Sequence, residues 1–139
     1  WDPDEPQVPL LKPTQAQEMA RYGVEFGSHT TTHIRIPDVS EKRLRKELRE
    51  SKSSVEQLVG TETVSFAYPY GSLNQFAKQI VGEEGYLYAA AGDSGPVRFI
   101  DDFYEIRRTQ VFPSTRSFGF WKKTQPWYTR YKTKRSIRS

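Results

Sequence analysis

The sequence predicts an α/β chain built on a parallel sheet, and three observations carry that reading. Short β-branched and aromatic runs alternate with helical segments along the 139 residues. The links between them are short. Gly23, Gly60 and the turn Tyr68-Pro69-Tyr70-Gly71 punctuate the segments. Alternation with short links favours parallel strands joined by crossovers. An open sheet and an incomplete barrel both fit, because four strands are too few to close a barrel.

The chain fits one domain and is long enough for a real core. It is polar, with 35% hydrophobic and 27% charged residues, and it has no cysteine. Disulfides and thiolate metal sites are thereby excluded. No apolar stretch approaches the roughly 18 residues a membrane span needs. The charge is uneven. Ten basic and no acidic residues follow Glu105, so the last 34 residues carry +10 and the first 105 carry −6. The expected division is residues 1–124 as the domain and residues 125–139 as a basic, aromatic tail.

Residues 1–12, with Pro3, Pro6 and Pro9, read as loop. The opening Trp1-Asp2-Pro3-Asp4-Glu5-Pro6 has the composition of mid-loop chain, and further residues are expected upstream. A first helix is expected from Thr14, with Thr14 and Gln17 as a capping box and Gly23 as a left-handed stop. Val24-Glu25-Phe26 is then a short strand. Gly27 to Asp38 is loop, since three threonines in a row and Pro37 disfavour helix.

The second helix carries the clearest signal. Ser40 is placed to cap it, Leu44, Leu48, Val55 and Leu58 form one stripe, and Gly60 ends it. Thr63 to Ala67 is the next strand, closed by Tyr68-Pro69-Tyr70-Gly71. A third helix is expected from about Leu73 to Val81, burying Phe76 and Ile80. Tyr86–Ala91 and Arg108–Phe112 are the remaining strands. A last helix is expected near Ser114, carrying Phe118 and Trp121.

The two histidines of the chain, His29 and His33, are four apart and directly follow a predicted strand. Loops after strand C-termini gather at one face of a parallel α/β fold, where active sites form. Imidazole is a common zinc ligand, and a catalytic zinc needs about three protein ligands and an open position. Two of three are thus in hand, against the plainer reading of surface histidines. The helical zinc-peptidase pattern fails, because Thr30 stands where its glutamate would be. The turn Phe66-Ala67-Tyr68-Pro69-Tyr70-Gly71 also follows a strand. Its Pro and Gly can aim a backbone N–H into a pocket, as an oxyanion hole requires. An ordinary strand-to-helix turn is the alternative.

Taken together, the two clusters resemble a known family. Gly23-Val24-Glu25-Phe26-Gly27-Ser28-His29-Thr30-Thr31-Thr32-His33 is similar to the metal-binding motif of the polysaccharide deacetylases: a histidine, a small hydroxyl residue, two free positions, a second histidine. Glu47-Leu48-Arg49-Glu50-Ser51-Lys52 resembles the helix that follows. Phe66 to Gly71 resembles the third motif, Gly85-Tyr86 with Ala89-Ala90 the next strand, and Arg108-Thr109-Gln110-Val111 the segment where many short members end. The resemblance covers residues 10 to about 120.

The resemblance implies a partial, distorted (β/α) barrel that lacks its first strands. It implies metal-dependent hydrolysis of acetyl groups on amino-sugar polysaccharides, with acetylated polysaccharide or oligosaccharide as partner. His29 and His33 would hold a divalent metal, zinc above all. The hydroxyl of Thr30 would orient the loop. The backbone N–H of Tyr70 would serve the oxyanion, and Tyr68, Pro69 and Arg108 would contact substrate. The cell envelope or the exterior would be the place of action, with the cytoplasm left open.

Three departures mark the chain. The family's upstream aspartate pair, a general base and a third metal ligand, has no counterpart after a strand, and Asp2 and Asp4 are not given those roles. Ala67 stands where an arginine is frequent. No late histidine follows His33. The missing strands would leave an open sheet edge, so self-association or an N-terminal segment is expected to cover it. A remnant that binds carbohydrate or metal without catalysis is the second reading. An anion-binding module built on the tail, with Trp127, Tyr128 and Tyr131 among the bases, is the third; nucleic acid as its partner ranks below a plain solvated tail.

Overall fold

The structure is a computed structural model and describes residues 9–92, 102–109, 111–125, 127 and 128. Asp2, Asp4, Gln110, Tyr131 and nearly all of the tail beyond Gln125 lie outside them.

Three strands form the sheet, β1 (Ser65–Ala67), β2 (Tyr88–Ala91) and β3 (Ile106–Arg107), in the order β1-β2-β3 and all parallel. Ser65, Phe66 and Ala67 pair with Tyr88, Ala89 and Ala90, and Ala90 and Ala91 pair with Ile106 and Arg107. Among the described residues four α-helices accompany them: α1 (Pro13–Arg21), α2 (Glu41–Val59), α3 (Gln75–Glu83) and α4 (Ser117–Thr124). The expected α/β class with parallel strands is therefore present. Among the described residues the sheet stays open, since three strands cannot close on themselves.

Helix α2 keeps the first half of its expected apolar stripe. Leu44 and Leu48 are buried, whereas Val55 is half-buried and Leu58 is exposed, with Val59 turned inward instead, and Gly60 ends the helix in the left-handed conformation at φ 75°. Ser40 occupies the N-cap position without a side-chain cap bond, while Glu41 supplies negative charge to the first turn. Helix α3 starts two residues later than expected because Asn74 caps it, accepting from the Ala77 N–H at 2.8 Å. That start turns Ala77, Ile80 and Val81 inward and leaves Phe76 47% exposed, against the expectation that Phe76 is buried. The core joins these faces to Phe66, Tyr68, Tyr86 and Ala89 of the sheet region and to Ile34 and Ile36 of the loop before α2.

Other boundaries also differ. Helix α1 has Pro13 in its first turn, and Lys12 N–H donates to the Gln15 side chain at 2.9 Å, so the cap lies before Thr14. Gln17 instead donates to the Leu58 carbonyl at 3.0 Å, tying α1 to α2. Val24–Phe26 is not a strand. Parallel pairing with β1 comes at Ser28, whose N–H donates to the Ser65 carbonyl while its carbonyl accepts from Ala67 N–H, both at 2.9 Å. The last strand forms at Ile106–Arg107 rather than Arg108–Phe112, and α4 begins at Ser117 rather than near Ser114. Lys78 explains the first shift. It bridges Asp102 and Glu105, each at 2.7 Å, and so fixes the approach of the chain to β2.

Candidate metal centre

Sheet pairing at Ser28 ends the β-like segment one residue before His29, and the chain then turns sharply. Thr30 has φ 62° and His33 has φ 52°. Left-handed backbone is costly for non-glycine residues and especially for a β-branched one. Such strain persists only where surrounding contacts over-determine it, and it clusters at functional sites.

The contacts are specific. His29 Nδ1 lies 2.7 Å from the Ala67 carbonyl oxygen. A carbonyl only accepts, so Nδ1 carries the proton and, in the neutral ring, Nε2 carries the lone pair. His33 Nε2 lies 3.1 Å from His29 Nε2, and the two rings meet edge to face at 4.8 Å between centroids. Two nitrogens at that separation can both stand about 2.0–2.1 Å from one zinc ion. The bond to Ala67 is the kind that fixes the tautomer of a metal-binding histidine. The residues therefore fit half of a tetrahedral donor set. Among the described residues no third His, Cys, Asp or Glu joins them.

The turn after β1 closes beside this pair. Tyr70 has φ 57°, and its ring packs edge to face on His33 at 4.5 Å. Its hydrogen-bonding neighbours are turn bonds, Gly71 N–H to the Tyr68 carbonyl at 2.9 Å and Ser72 N–H to the Pro69 carbonyl at 3.0 Å. The Tyr70 N–H itself has no acceptor among the described residues. Gly71, at φ 64°, lies so close to Gly92 that a Cβ on it would meet the Gly92 Cα at 2.5 Å.

A carboxylate that the sequence did not single out for a role holds the loop from below. Glu47 stands on the buried stripe of α2 between Leu44 and Leu48. Its Oε2 accepts from the N–H groups of Thr31 at 3.0 Å and Thr32 at 2.9 Å, and its Oε1 accepts from the Thr32 hydroxyl at 2.6 Å. Burial alone would raise the Glu47 pKa, but these bonds and the nearby Arg43 outweigh it and hold the carboxyl below the ordinary carboxylate range. One turn further along α2, the Ser51 hydroxyl meets that of Ser28 at 2.6 Å in a buried contact. A lone acid on an apolar stripe is the signal that could have found Glu47, because a buried carboxylate requires partners.

The chain matches a known family. The family model for polysaccharide deacetylase matches residues 4–89, which include both histidines and the whole turn from Phe66 to Gly71. The chain belongs to the polysaccharide deacetylase family. YxkH of Bacillus subtilis (strain 168), provisionally named a polysaccharide deacetylase, is 24% identical over 110 residues, which is 79% of this chain and 39% of YxkH. The Streptococcus pyogenes deacetylase PplD, solved in complex with acetate, superposes with a TM-score of 0.76 at 22% identity, over 84% of this chain and 51% of that one. The polysaccharide deacetylase BC0361 of Bacillus cereus gives 0.71 at 21% identity, over 83% and 37%. The chain thus spans about half or less of the length of each of these relatives.

Within this deacetylase fold the other expected site residues fall apart. Pro69 is buried under the turn. Tyr68 is 1% exposed, packs on Phe66 and donates its hydroxyl to the Tyr104 carbonyl at 2.9 Å. Its ring belongs to the core, and burial, followed by the nearby Asp102 and Glu105, raises its pKa. Arg108 lies beyond the stretch that matches the family, exposed, and donates from Nε to the Ala91 carbonyl at 3.1 Å at the end of β2. The Thr30 hydroxyl is buried with no partner among the described residues, so the loop is oriented by Thr31 and Thr32 instead.

Proposed function

We propose that this chain is the metal-binding part of a carbohydrate deacetylase that removes acetyl groups from an amino-sugar polysaccharide. The observation that carries this reading is the approach of His29 Nε2 and His33 Nε2 to 3.1 Å, with the His29 tautomer set by Ala67.

His29 and His33 are the residues that would hold the divalent metal, zinc above all. A bound zinc supplies Lewis acidity, polarising the acetyl carbonyl and lowering the pKa of a bound water. The chain's own groups do the rest. Ala67 keeps the His29 proton on Nδ1. Tyr70, whose ring packs on His33, would supply its N–H to a developing oxyanion, and its exposed ring would offer a flat apolar face to a sugar. Arg108, whose Nε donates to the Ala91 carbonyl at the end of β2, would meet a charged or hydroxyl-rich group. The fold is read as a partial (β/α) barrel. A third metal ligand, a general base and strands pairing with the open edge at Ser28 would come from chain outside the described residues or from a partner.

The test is acetate release from N-acetylated amino-sugar oligosaccharides by protein containing this chain, with and without added zinc. Zinc-dependent release that His33→Ala abolishes is expected. Release that survives both chelation and His33→Ala would overturn the reading.

A further inference from the structure

Helix α2 does more than cover the sheet, because it grips the histidine loop at both ends. Ser51 holds Ser28, the residue before His29, and Glu47 holds Thr31 and Thr32, the residues before His33. Glu47, Leu48 and Ser51 share the buried stripe, so one face of one helix supplies core and tethers alike. Two successive N–H groups turned toward one carboxylate make a small anion-binding nest. Between the tethers lies Thr30, and after them His33, both left-handed. Without an acceptor at Glu47 nothing else among the described residues bonds the Thr31 and Thr32 N–H groups, and the left-handed bends lose the contacts that over-determine them.

We infer that Glu47 is the positioning residue of the histidine pair: its three hydrogen bonds to Thr31 and Thr32 set the backbone turn that brings His33 Nε2 to His29 Nε2. This rests on the metal-centre reading above, and it specifies which buried side chain makes that centre possible. Glu47 is not a ligand here, since both its oxygens are engaged by the loop. Arg43, 3.8 Å from Oε1, reinforces its charge from the surface.

Two readouts test it. The imidazole ¹⁵N resonances of the metal-free protein report the ring pair directly, and calorimetric zinc titration reports its use. In Glu47→Ala both ring spectra should move and zinc affinity should fall about 10–100-fold, as for other groups that orient metal ligands. Glu47→Gln keeps the length and one carbonyl acceptor, so it should rescue part of both losses. Thr32→Val removes one of the three bonds, and it should shift the His33 ring while leaving Glu47 in place. It and Glu47→Gln decide the matter should Glu47→Ala fail to fold by circular dichroism. Ring resonances that coincide with wild type in a folded variant would overturn the inference. Zinc binding absent from wild type would remove the metal reading, and the metal-free spectra would still decide the role of Glu47.

Discussion

His29 Nδ1 donates to the carbonyl of Ala67 at 2.7 Å, a bond that joins residues 38 apart in sequence. It ties the histidine loop to the end of β1 and leaves Nε2 facing His33 Nε2 at 3.1 Å. The loop is therefore fixed from two sides, by the sheet through Ala67 and by α2 through Glu47 and Ser51.

The first prediction concerns the buried serine pair. Ser51→Ala removes the 2.6 Å bond to the Ser28 hydroxyl, which keeps the Tyr86 hydroxyl as a second partner. Losing one buried hydrogen bond costs about 0.5–1.5 kcal/mol. Urea denaturation should show a loss in that range, with an unchanged m-value.

A larger loss is expected in the core. Leu48 is fully buried between Leu44 and the sheet residues. Leu48→Ala should cost about 2–5 kcal/mol by the same denaturation, because it removes apolar contacts and leaves a cavity.

The Gly71–Gly92 contact makes a third prediction. Gly71→Ala would place a methyl 2.5 Å from the Gly92 Cα, on a residue at φ 64°. One of the two backbones must move, at about 1–3 kcal/mol. The Tyr70–His33 ring contact, next along the chain, should loosen with it, read as a change in Tyr70 fluorescence or ring NMR shifts.

Acid stability should carry the signature of Glu47. Its folded pKa lies below the ordinary value, so its contribution is present above the unfolded value of about 4.3 and is lost as pH falls through the folded pKa. Glu84, Asp102 and Glu105 shift in the same direction, each against the cost of its own burial and through Arg or Lys partners. Stability of the wild type should therefore decline on acidification below about pH 4.3. In Glu47→Gln that decline should be shallower, and the protein should already be weaker at pH 7. Equal slopes in the two proteins would count against the Glu47 assignment.

Much of this architecture was legible in the sequence. The Leu44 and Leu48 face of α2, the stop at Gly60 and the strand before Tyr68 depend on local periodicity and turn chemistry, and they appear where that chemistry puts them, whereas Leu58 at the end of the stripe is exposed. The histidine pair was legible as two histidines four apart and as part of a family motif. What escaped depends on contacts between distant residues. Val24–Phe26 reads as strand by composition, yet pairing with β1 is found at Ser28. Phe76 looks like a core residue until Asn74 sets the helix phase. Tyr68 looks like a sugar-facing aromatic until Tyr104 takes its hydroxyl. Glu47 was visible only as part of a motif, because its partners lie 15 and 16 residues before it in a loop with no regular period.

The most direct measurement is a calorimetric zinc titration of the 139-residue chain beside its His29→Ala variant. One-to-one binding by the wild type that the variant loses is expected. Equal affinity in the two proteins would contradict it, because the metal would then be held somewhere other than between His29 and His33.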